Sequence, residues 1–182
     1  MKIIPTRLAG PLLIEPRVFA DERGFFLESF RRDPYAELGI DHDFVQDNHS
    51  RSTRGTIRAL HFQTDPGQPK LVRAARGRVF DVVVDIRRSS PTFGQWESFE
   101  LDDEANRQLY VPIGFAHGFC VVSDVADFVY KVGSYYEPDT ERGIAWDDPD
   151  LAIPWPAADP IVSERDRGNP TLAEQASELP AW

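Results

Sequence analysis

A histidine and an arginine occur three residues apart in a short, mostly apolar run of the sequence. Residues 56–63 alternate in a way that predicts a strand, with Ile57, Ala59 and His61 on one face and Arg58, Leu60 and Phe62 on the other. An unperturbed imidazole titrates near pH 6.5, so His61 could serve as a proton-transfer base on a rigid element. A core histidine with purely structural hydrogen bonds fits this strand equally well.

Other polar residues also interrupt apolar runs. Burying an unpaired polar or charged group costs several kcal/mol, so a set of them predicts one shared cavity. An antiparallel sheet with one solvated face would also alternate polar and apolar residues, and for any single residue that interpretation is the simpler one. The set comprises Arg23, Glu28, Gln46, Asp47, Asn48, Arg58, His61, Lys70, His117, Tyr130 and Lys131.

The elements that must position these side chains are short strands separated by Gly, Pro, Asp and Asn. We predict strands at 12–19, 24–29, 43–50, 56–62, 70–75, 77–86, 96–101, 107–111, 116–122 and 127–132. One short helix is expected at 34–38, with Asp33 as its N-cap, and the Pro-rich tail beyond Asp147 is expected to be irregular with one short helix. Many strands without intervening helices predict an antiparallel sandwich or barrel, organised as one domain over residues 1–182.

Composition narrows the function classes. The chain has 182 residues and a formal net charge of −10, which argues against a nucleic-acid or anionic-membrane partner. Its single cysteine, Cys120, excludes an intrachain disulfide and is expected to be a buried, inert thiol. No signal-peptide pattern opens the sequence, and no apolar run approaches the roughly 20 residues of a membrane span. We therefore expect a cytoplasmic protein.

Ordered motifs extend from about residue 3 to residue 172. They are DERGFFLE at 21–28, FVQDNHS at 44–50, RALHFQ at 58–63, KLV at 70–72, DVVVDIR at 81–87, SPTFG at 90–94, PIGFAHGF at 112–119, Tyr130–Lys131 with Tyr136, and SERD at 163–166. With these motifs the chain resembles the dTDP-4-dehydrorhamnose 3,5-epimerases, which are cupin-fold sugar-nucleotide epimerases. The resemblance implies an all-β, cupin-like jelly roll with a few short helices and a wrapped C-terminal segment.

The resemblance also implies roles for individual residues. His61 looks like the general base with Asp166 as its orienting carboxylate, Tyr130 the general acid on the opposite face of the sugar, and Lys70, near Arg58, the cation that stabilises the C4 oxygen. Tyr136 would stack on the thymine ring, and neither metal nor redox cofactor is implied. The implied substrate contacts are Arg23, Glu28, Gln46, Asp47, Asn48, Arg58, His117, Tyr136, Glu141 and Arg165.

The implied reaction converts dTDP-4-keto-6-deoxy-D-glucose to dTDP-4-keto-L-rhamnose by inversion at C3 and C5. The C4 ketone acidifies both positions, and a cation must stabilise the resulting enolate. A homodimer with an exchanged N-terminal strand is also implied, with Arg23 and Glu28 reaching the neighbouring ligand.

Three alternatives remain open. One is an epimerase that inverts only C3 or only C5 for a specialised deoxysugar, and another is a sugar-nucleotide-binding cupin without catalysis. The third is a metal-dependent cupin enzyme, although the four histidines include no His-x-His pair. We interpret His49 as a structural residue near the pocket and His42 as solvated.

The sequence departs from the family pattern at one position. Ala59 stands where these epimerases usually have glycine, and strict alternation would put its methyl group on the face of His61. Such a methyl group could crowd the sugar or shift the base. Our hypothesis is that the substitution is tolerated.

Overall fold

Two antiparallel sheets face one another and form a sandwich with the principal core between them. The computed structural model describes residues 1–182. One sheet has six strands in the order β1-β2-β10-β7-β12-β5, the other has five in the order β13-β6-β11-β8-β9, and β3 and β4 form a separate hairpin. The all-β prediction is confirmed.

The strands lie close to their predicted positions. Their bounds are β1 Lys2–Ile4, β2 Leu12–Glu15, β3 Val18–Asp21, β4 Gly24–Leu27, β5 Gln46–Thr53, β6 Ile57–Gln63, β7 Lys70–Arg76, β8 Arg78–Asp85, β9 Trp96–Asp102, β10 Gln108–Val111, β11 Phe115–Val121, β12 Val125–Val132 and β13 Glu141–Gly143. The predicted strand at 12–19 is divided into β2 and β3 around Pro16, which lacks the N–H that a central strand requires. The prediction missed the three-residue strands β1 and β13.

Three short helices complete the chain: α1 Arg32–Ala36, α2 Glu164–Arg167 and α3 Leu172–Gln175. Asp33 lies inside the first turn of α1 rather than at its N-cap, which is Arg31 without a side-chain hydrogen bond. The tail contains two helices rather than one, and each is capped by a hydroxyl, from Ser163 for α2 and Thr171 for α3. No helix is long and apolar enough to cross a membrane.

Apolar side chains form three layers around the two sheets. The inner faces of both sheets share one cluster, which includes Val72, Val83, Leu109, Phe119 and Phe128. The outer face of the five-stranded sheet is covered by the C-terminal segment. The outer face of the six-stranded sheet packs against α1 and its flanking loop. Because one end of the space between the sheets carries polar side chains instead, a cavity remains there.

Strand β6 breaks the predicted alternation. Arg58 pairs with Phe119 and His61 pairs with His117, so two intervening residues of β6, Ala59 and Leu60, oppose the single residue Gly118 of β11. This is a β-bulge, and it turns both intervening side chains toward the outer core. The predicted faces are therefore wrong: Arg58 and His61 lie on the same side of the sheet.

Candidate active site

A cavity between the sheets gathers five of the eleven polar residues for which one shared cavity was predicted, namely Arg58, His61, Lys70, His117 and Tyr130. Lys131, another of the eleven, pairs with Asp47 outside it. The cavity has a volume of about 250 Å³. Its lining consists of Ser50, Arg58, His61, Lys70, His117, Phe119, Phe128, Tyr130, Tyr136, Glu141 and Arg165. The lining residues that belong to β5, β6, β7, β11 and β12 occupy the inward-facing positions of those strands.

His61 is joined to a carboxylate from the C-terminal segment. Its Nε2 lies 2.7 Å from Oδ1 of Asp166, a residue of helix α2 whose backbone N–H donates to the Ser163 hydroxyl. Burial acts to raise the pKa of Asp166, but the hydrogen bond and charge of His61 and the backbone of Ala59 hold it below its usual value. The ionised carboxylate engages Nε2, which leaves Nδ1 as the nitrogen able to accept a proton.

Lys70 brings an ammonium group deep into the same cavity. Its Nζ donates to the backbone carbonyl of His61 at 3.4 Å. Burial lowers its pKa to about 8, against the opposing attraction of Glu141 and Asp81. A cation with this little solvation interacts strongly with any negative charge that develops beside it.

Tyr130 enters the cavity from the opposite sheet. It lies on β12, next to Asn48 on β5 and Val72 on β7. Burial raises the pKa of Tyr130, while Arg58 acts to lower it, so the phenol is protonated at neutral pH. The imidazole of His61 and this hydroxyl therefore belong to different sheets, an arrangement that suits proton transfer at two faces of a ring.

His117 lies beside His61 on the neighbouring strand and carries its own carboxylate. Its Nε2 is 2.9 and 3.0 Å from the two oxygens of Asp81, and both residues are buried. Burial raises the pKa of Asp81, opposed by the charges of His117 and Lys70. Asp81 was not predicted to be a functional residue. The available signal was a carboxylate inside the apolar run 79–86.

Three further residues form the rim of the cavity. Arg165 and Glu141 form an ion pair, and Glu141 raises the pKa of the neighbouring Tyr136 hydroxyl against the opposing effect of Arg165. The backbone N–H of Tyr136 donates to Oε1 of Gln46 at 3.1 Å, and Gln46 in turn donates to Asn48 at 2.9 Å. Gln46 and Asn48 therefore support the rim and the Tyr130 side of the site. The rim segment can be displaced only by breaking these polar contacts.

Three predicted contacts are not brought to this cavity. Asp47 lies on the outer face of β5 and pairs with Lys131, because successive strand residues face opposite ways. Arg23 is in the turn of the β3–β4 hairpin, where it pairs with Asp21, and Glu28 pairs with Arg31 just after the hairpin. Within a single chain, therefore, neither Arg23 nor Glu28 lines the site.

The two remaining histidines lie outside the cavity. Nε2 of His49 is 3.5 Å from Oδ1 of Asp127 on the outer face of the six-stranded sheet. His42 is half-buried and stacks on Tyr110, so the expectation that it is solvated is wrong. No three His, Cys, Asp or Glu side chains converge in an arrangement that could hold a metal ion.

Comparisons with known proteins agree with this geometry. A family model described as dTDP-4-dehydrorhamnose 3,5-epimerase matches residues 5–174. The dTDP-4-dehydrorhamnose 3,5-epimerase of Shigella flexneri is 53% identical over 168 residues, which are 91% of this chain and 93% of that protein.

Two solved structures have the same fold over the whole chain. The crystal structure of dTDP-6-deoxy-D-glucose-3,5-epimerase from Legionella pneumophila, in complex with dTDP-4-keto-L-rhamnose, is 48% identical, with a TM-score of 0.96 and coverage of 100% of this chain and 98% of that one. A 4-keto-6-deoxy sugar epimerase from the novobiocin biosynthetic gene cluster of Streptomyces spheroides is 44% identical, with a TM-score of 0.96 and coverage of 100% and 94%.

Proposed function

The chain belongs to the dTDP-4-dehydrorhamnose 3,5-epimerase family, and we propose which of its residues perform the epimerisation. The enzyme is an isomerase that converts dTDP-4-keto-6-deoxy-D-glucose to dTDP-4-keto-L-rhamnose, in the biosynthesis of dTDP-L-rhamnose. The observation that carries the proposal is the placement of the His61–Asp166 pair and Tyr130 on opposite sheets around one cavity that also contains Lys70.

In the proposed mechanism, Nδ1 of His61 removes the proton from C5 or C3 of the bound sugar. The electron pair of the broken C–H bond moves into an enolate whose oxygen at C4 lies against the Lys70 ammonium. One such positioned donor typically contributes about 2.7–4 kcal/mol to transition-state stabilisation. Tyr130 then delivers a proton to the same carbon from the other face, which inverts its configuration. This series of proton transfers uses only protein side chains.

The same geometry supports roles for the surrounding residues. Arg58 lies beside His61, and its Nε donates to the Ser52 hydroxyl at 3.1 Å, which leaves the rest of its guanidinium free for an anionic ligand. Arg165 and Glu141 exchange their mutual contact for contacts with the sugar nucleotide, and the exposed ring of Tyr136 stacks on the base. His117, held by Asp81, forms the cavity wall next to the sugar.

The test is proton NMR of dTDP-4-keto-6-deoxyglucose incubated with the protein in D₂O. We expect the signals of the C3 and C5 hydrogens to disappear, and His61→Ala to slow both exchanges by about 10²–10⁴-fold, the usual contribution of a positioned base. His49→Ala is the matched control, since that histidine is exposed on the outer sheet face. It should exchange both positions at the wild-type rate.

Other outcomes of this experiment have defined meanings. Exchange at one carbon alone would identify a single epimerase, and the similarity to the novobiocin-cluster enzyme would then favour a specialised deoxysugar as product. Absence of exchange at both carbons would exclude the proposed chemistry and leave a binding protein. Unchanged exchange in His61→Ala would assign the base to another residue.

The proposed assembly is a homodimer in which the β3–β4 hairpin contacts the second copy. This hairpin is paired only with itself and exposes Phe19, Phe25 and Phe26 to solvent. Apolar patches of this kind commonly mark protein interfaces. Across such an interface, Arg23 and Glu28 would approach the partner's sugar nucleotide, although they lie away from the cavity of their own chain. The cytoplasmic location stays a prediction.

A further inference from the structure

The bulge in β6 packs directly against a single glycine, Gly118, of the adjacent strand β11. A methyl group placed on Gly118 would lie 2.6 Å from Cβ of Ala59, 2.8 Å from Cα of Ala59 and 2.9 Å from the carbonyl oxygen of Arg58. Two of these three atoms belong to the backbone. Gly118 is therefore the position at which β11 must lack a side chain if the bulge is to keep its present shape.

The bulged residues lie directly before the base and contact its partner. His61 follows Leu60, and the Leu60 backbone exchanges hydrogen bonds with Ile144 on the β13 side, N to O at 3.2 Å and O to N at 2.9 Å. The backbone of Ala59 helps to stabilise the ionised carboxylate of Asp166. The bulge thus adjoins His61 along the chain, and its backbone at Ala59 lies beside the carboxylate of Asp166.

We propose that Gly118 is a positioning residue for catalysis: by admitting the Ala59–Leu60 bulge, it aligns His61 with Asp166 and aims the imidazole into the cavity. Gly118 itself faces the outer core and contacts no substrate. The inference rests on the proposed function, because it concerns the base assigned there. It assigns a catalytic requirement to a residue without a side chain, outside the cavity.

The first measurement compares Gly118→Ala with wild type. Displacement of a reacting group by about 1 Å can cost 10²-fold in rate, so we expect kcat to fall by about 10- to 100-fold while KM changes by less than about 3-fold. Gly168→Ala is the matched control. Gly168 is exposed at the end of α2, and a methyl group there meets only ordinary contacts, at 3.5 and 3.7 Å. That variant should retain wild-type kinetics.

A double-mutant cycle separates positioning from general damage to the fold. If Gly118 acts through the histidine–carboxylate pair, Gly118→Ala should lower kcat by less than about 3-fold once Asp166→Asn has already disabled the pair. Equal losses in the two backgrounds would overturn the proposal, because they would show that Gly118 acts independently of Asp166.

A spectroscopic readout needs no substrate. The hydrogen-bonded Nε2 proton of His61 should give a low-field proton resonance in wild type that His61→Ala removes, and Gly118→Ala should shift or abolish it. An unchanged resonance together with unchanged kcat would refute the proposal. Failure of the proposed function is distinguishable, since the wild-type protein would then show this resonance but no exchange at C3 or C5.

A second variant keeps the test decisive if Gly118→Ala does not fold. Adding Ala59→Gly removes the 2.6 Å contact but leaves the two backbone contacts, so the double variant should recover folding while the bulge remains displaced. We expect its kcat to stay at least about 10-fold below that of Ala59→Gly alone. Equal kcat values for these two proteins would contradict the proposal.

Discussion

At the scale of single residues, Lys70 combines a proposed catalytic role with the energetic cost of burying a charge. The cavity lowers the pKa of its ammonium to about 8 from 10.5 in water. The groups that face it are His61, His117, Tyr130, Arg58, Arg165 and the carboxylates of Glu141 and Asp81. The two carboxylates attract the ammonium, but burial outweighs them. The pKa of Lys70 is therefore close to neutral pH, so a small rise in pH removes its charge.

This placement predicts an alkaline limit to activity. In the proposed mechanism only the protonated amine stabilises the enolate, so kcat should fall as the pH rises through about 8. Lys70→Arg retains a cation at every accessible pH, so its kcat, although lower overall, should be nearly constant between pH 7 and pH 10. Steady-state rates over this range provide the measurement. If the decline in kcat at high pH persists in Lys70→Arg, another group is responsible for it, and Tyr130 is the first candidate.

The same charge should reduce the stability of the fold. With a pKa of about 8 in the native state and 10.5 in the unfolded chain, Lys70 is destabilising below pH 8, and the effect fades as the pH rises toward 10.5. Lys70→Met should therefore raise the free energy of unfolding at pH 7 by about 1–3 kcal/mol while abolishing activity. Urea unfolding at pH 7 and pH 10 checks this. A gain of equal size at both pH values would contradict the explanation.

At this scale the family resemblance was more informative than residue type, since the strand pattern alone left His61 equally compatible with a structural role. The resemblance implied roles for His61, Lys70 and Tyr130 that require proximity, and all three line one cavity. Asp81 was missed because a carboxylate in a strand gives no sign of its partner. Asp47 was grouped with Gln46 and Asn48 as a substrate contact, but its side chain faces away from theirs. The roles themselves stay proposals until the variants are measured.

At the scale of elements, the bulge in β6 is a feature that the hydrophobic pattern of the sequence does not reveal. Strand periodicity assumes one residue per step on each strand, and Ala59 and Leu60 are apolar enough to suit either face. Nothing in the hydrophobic pattern therefore distinguishes a regular strand from one with an extra residue. Turns were easier to predict where a glycine acts through its own backbone, as Gly77 does between β7 and β8 with a φ of 73°. The break at Pro16 was missed, although proline also acts through its backbone.

The bulge changes the expectation for Ala59. Its methyl group is fully buried in the outer core and faces Gly118 rather than the sugar. Ala59→Gly should therefore change kcat by less than about 3-fold, since it opens space only beside Gly118. Steady-state kinetics of this variant tests the point. A many-fold rise in turnover would show that the alanine does crowd the substrate.

The neighbouring Leu60 has a mainly structural role. Its side chain is fully buried in the outer core, so Leu60→Ala should lower the free energy of unfolding by about 2–5 kcal/mol. Urea unfolding measures this loss. A loss below about 1 kcal/mol would show that the bulge is not anchored by this core.

At the scale of the whole molecule, the sandwich was predictable but the hairpin's environment was not. Short strands with frequent turn residues leave few arrangements for an all-β chain, and two packed sheets are among them. The β3–β4 hairpin instead pairs with no other strand and exposes three phenylalanines, so in the proposed dimer its surroundings depend on a partner that one sequence does not specify. The single-domain organisation stays a prediction.

The assembly proposal gives a direct test. We expect a dimer in sedimentation at micromolar concentration, and we expect replacement of both Phe25 and Phe26 by serine to give monomers with reduced activity, because the hairpin would no longer dock. Val45→Ser is the control, as an exposed apolar residue outside the hairpin. A wild-type monomer with full activity would exclude both the dimer and the contribution of Arg23 to a neighbouring site.

The division of the catalytic groups between two sheets has a mechanical consequence. His61 stands on the five-stranded sheet and Tyr130 on the six-stranded sheet, and the stacked rings of Phe119 and Phe128, with centroids 4.1 Å apart, fill the gap between those sheets. In the proposed mechanism, this aromatic pair packs between the strands that carry the base and the acid. Replacing one of these rings by a smaller side chain would alter the packing between the two sheets without altering His61 or Tyr130 themselves. The separation of the two proposed proton-transfer groups thus depends on a packing contact that contains neither of them.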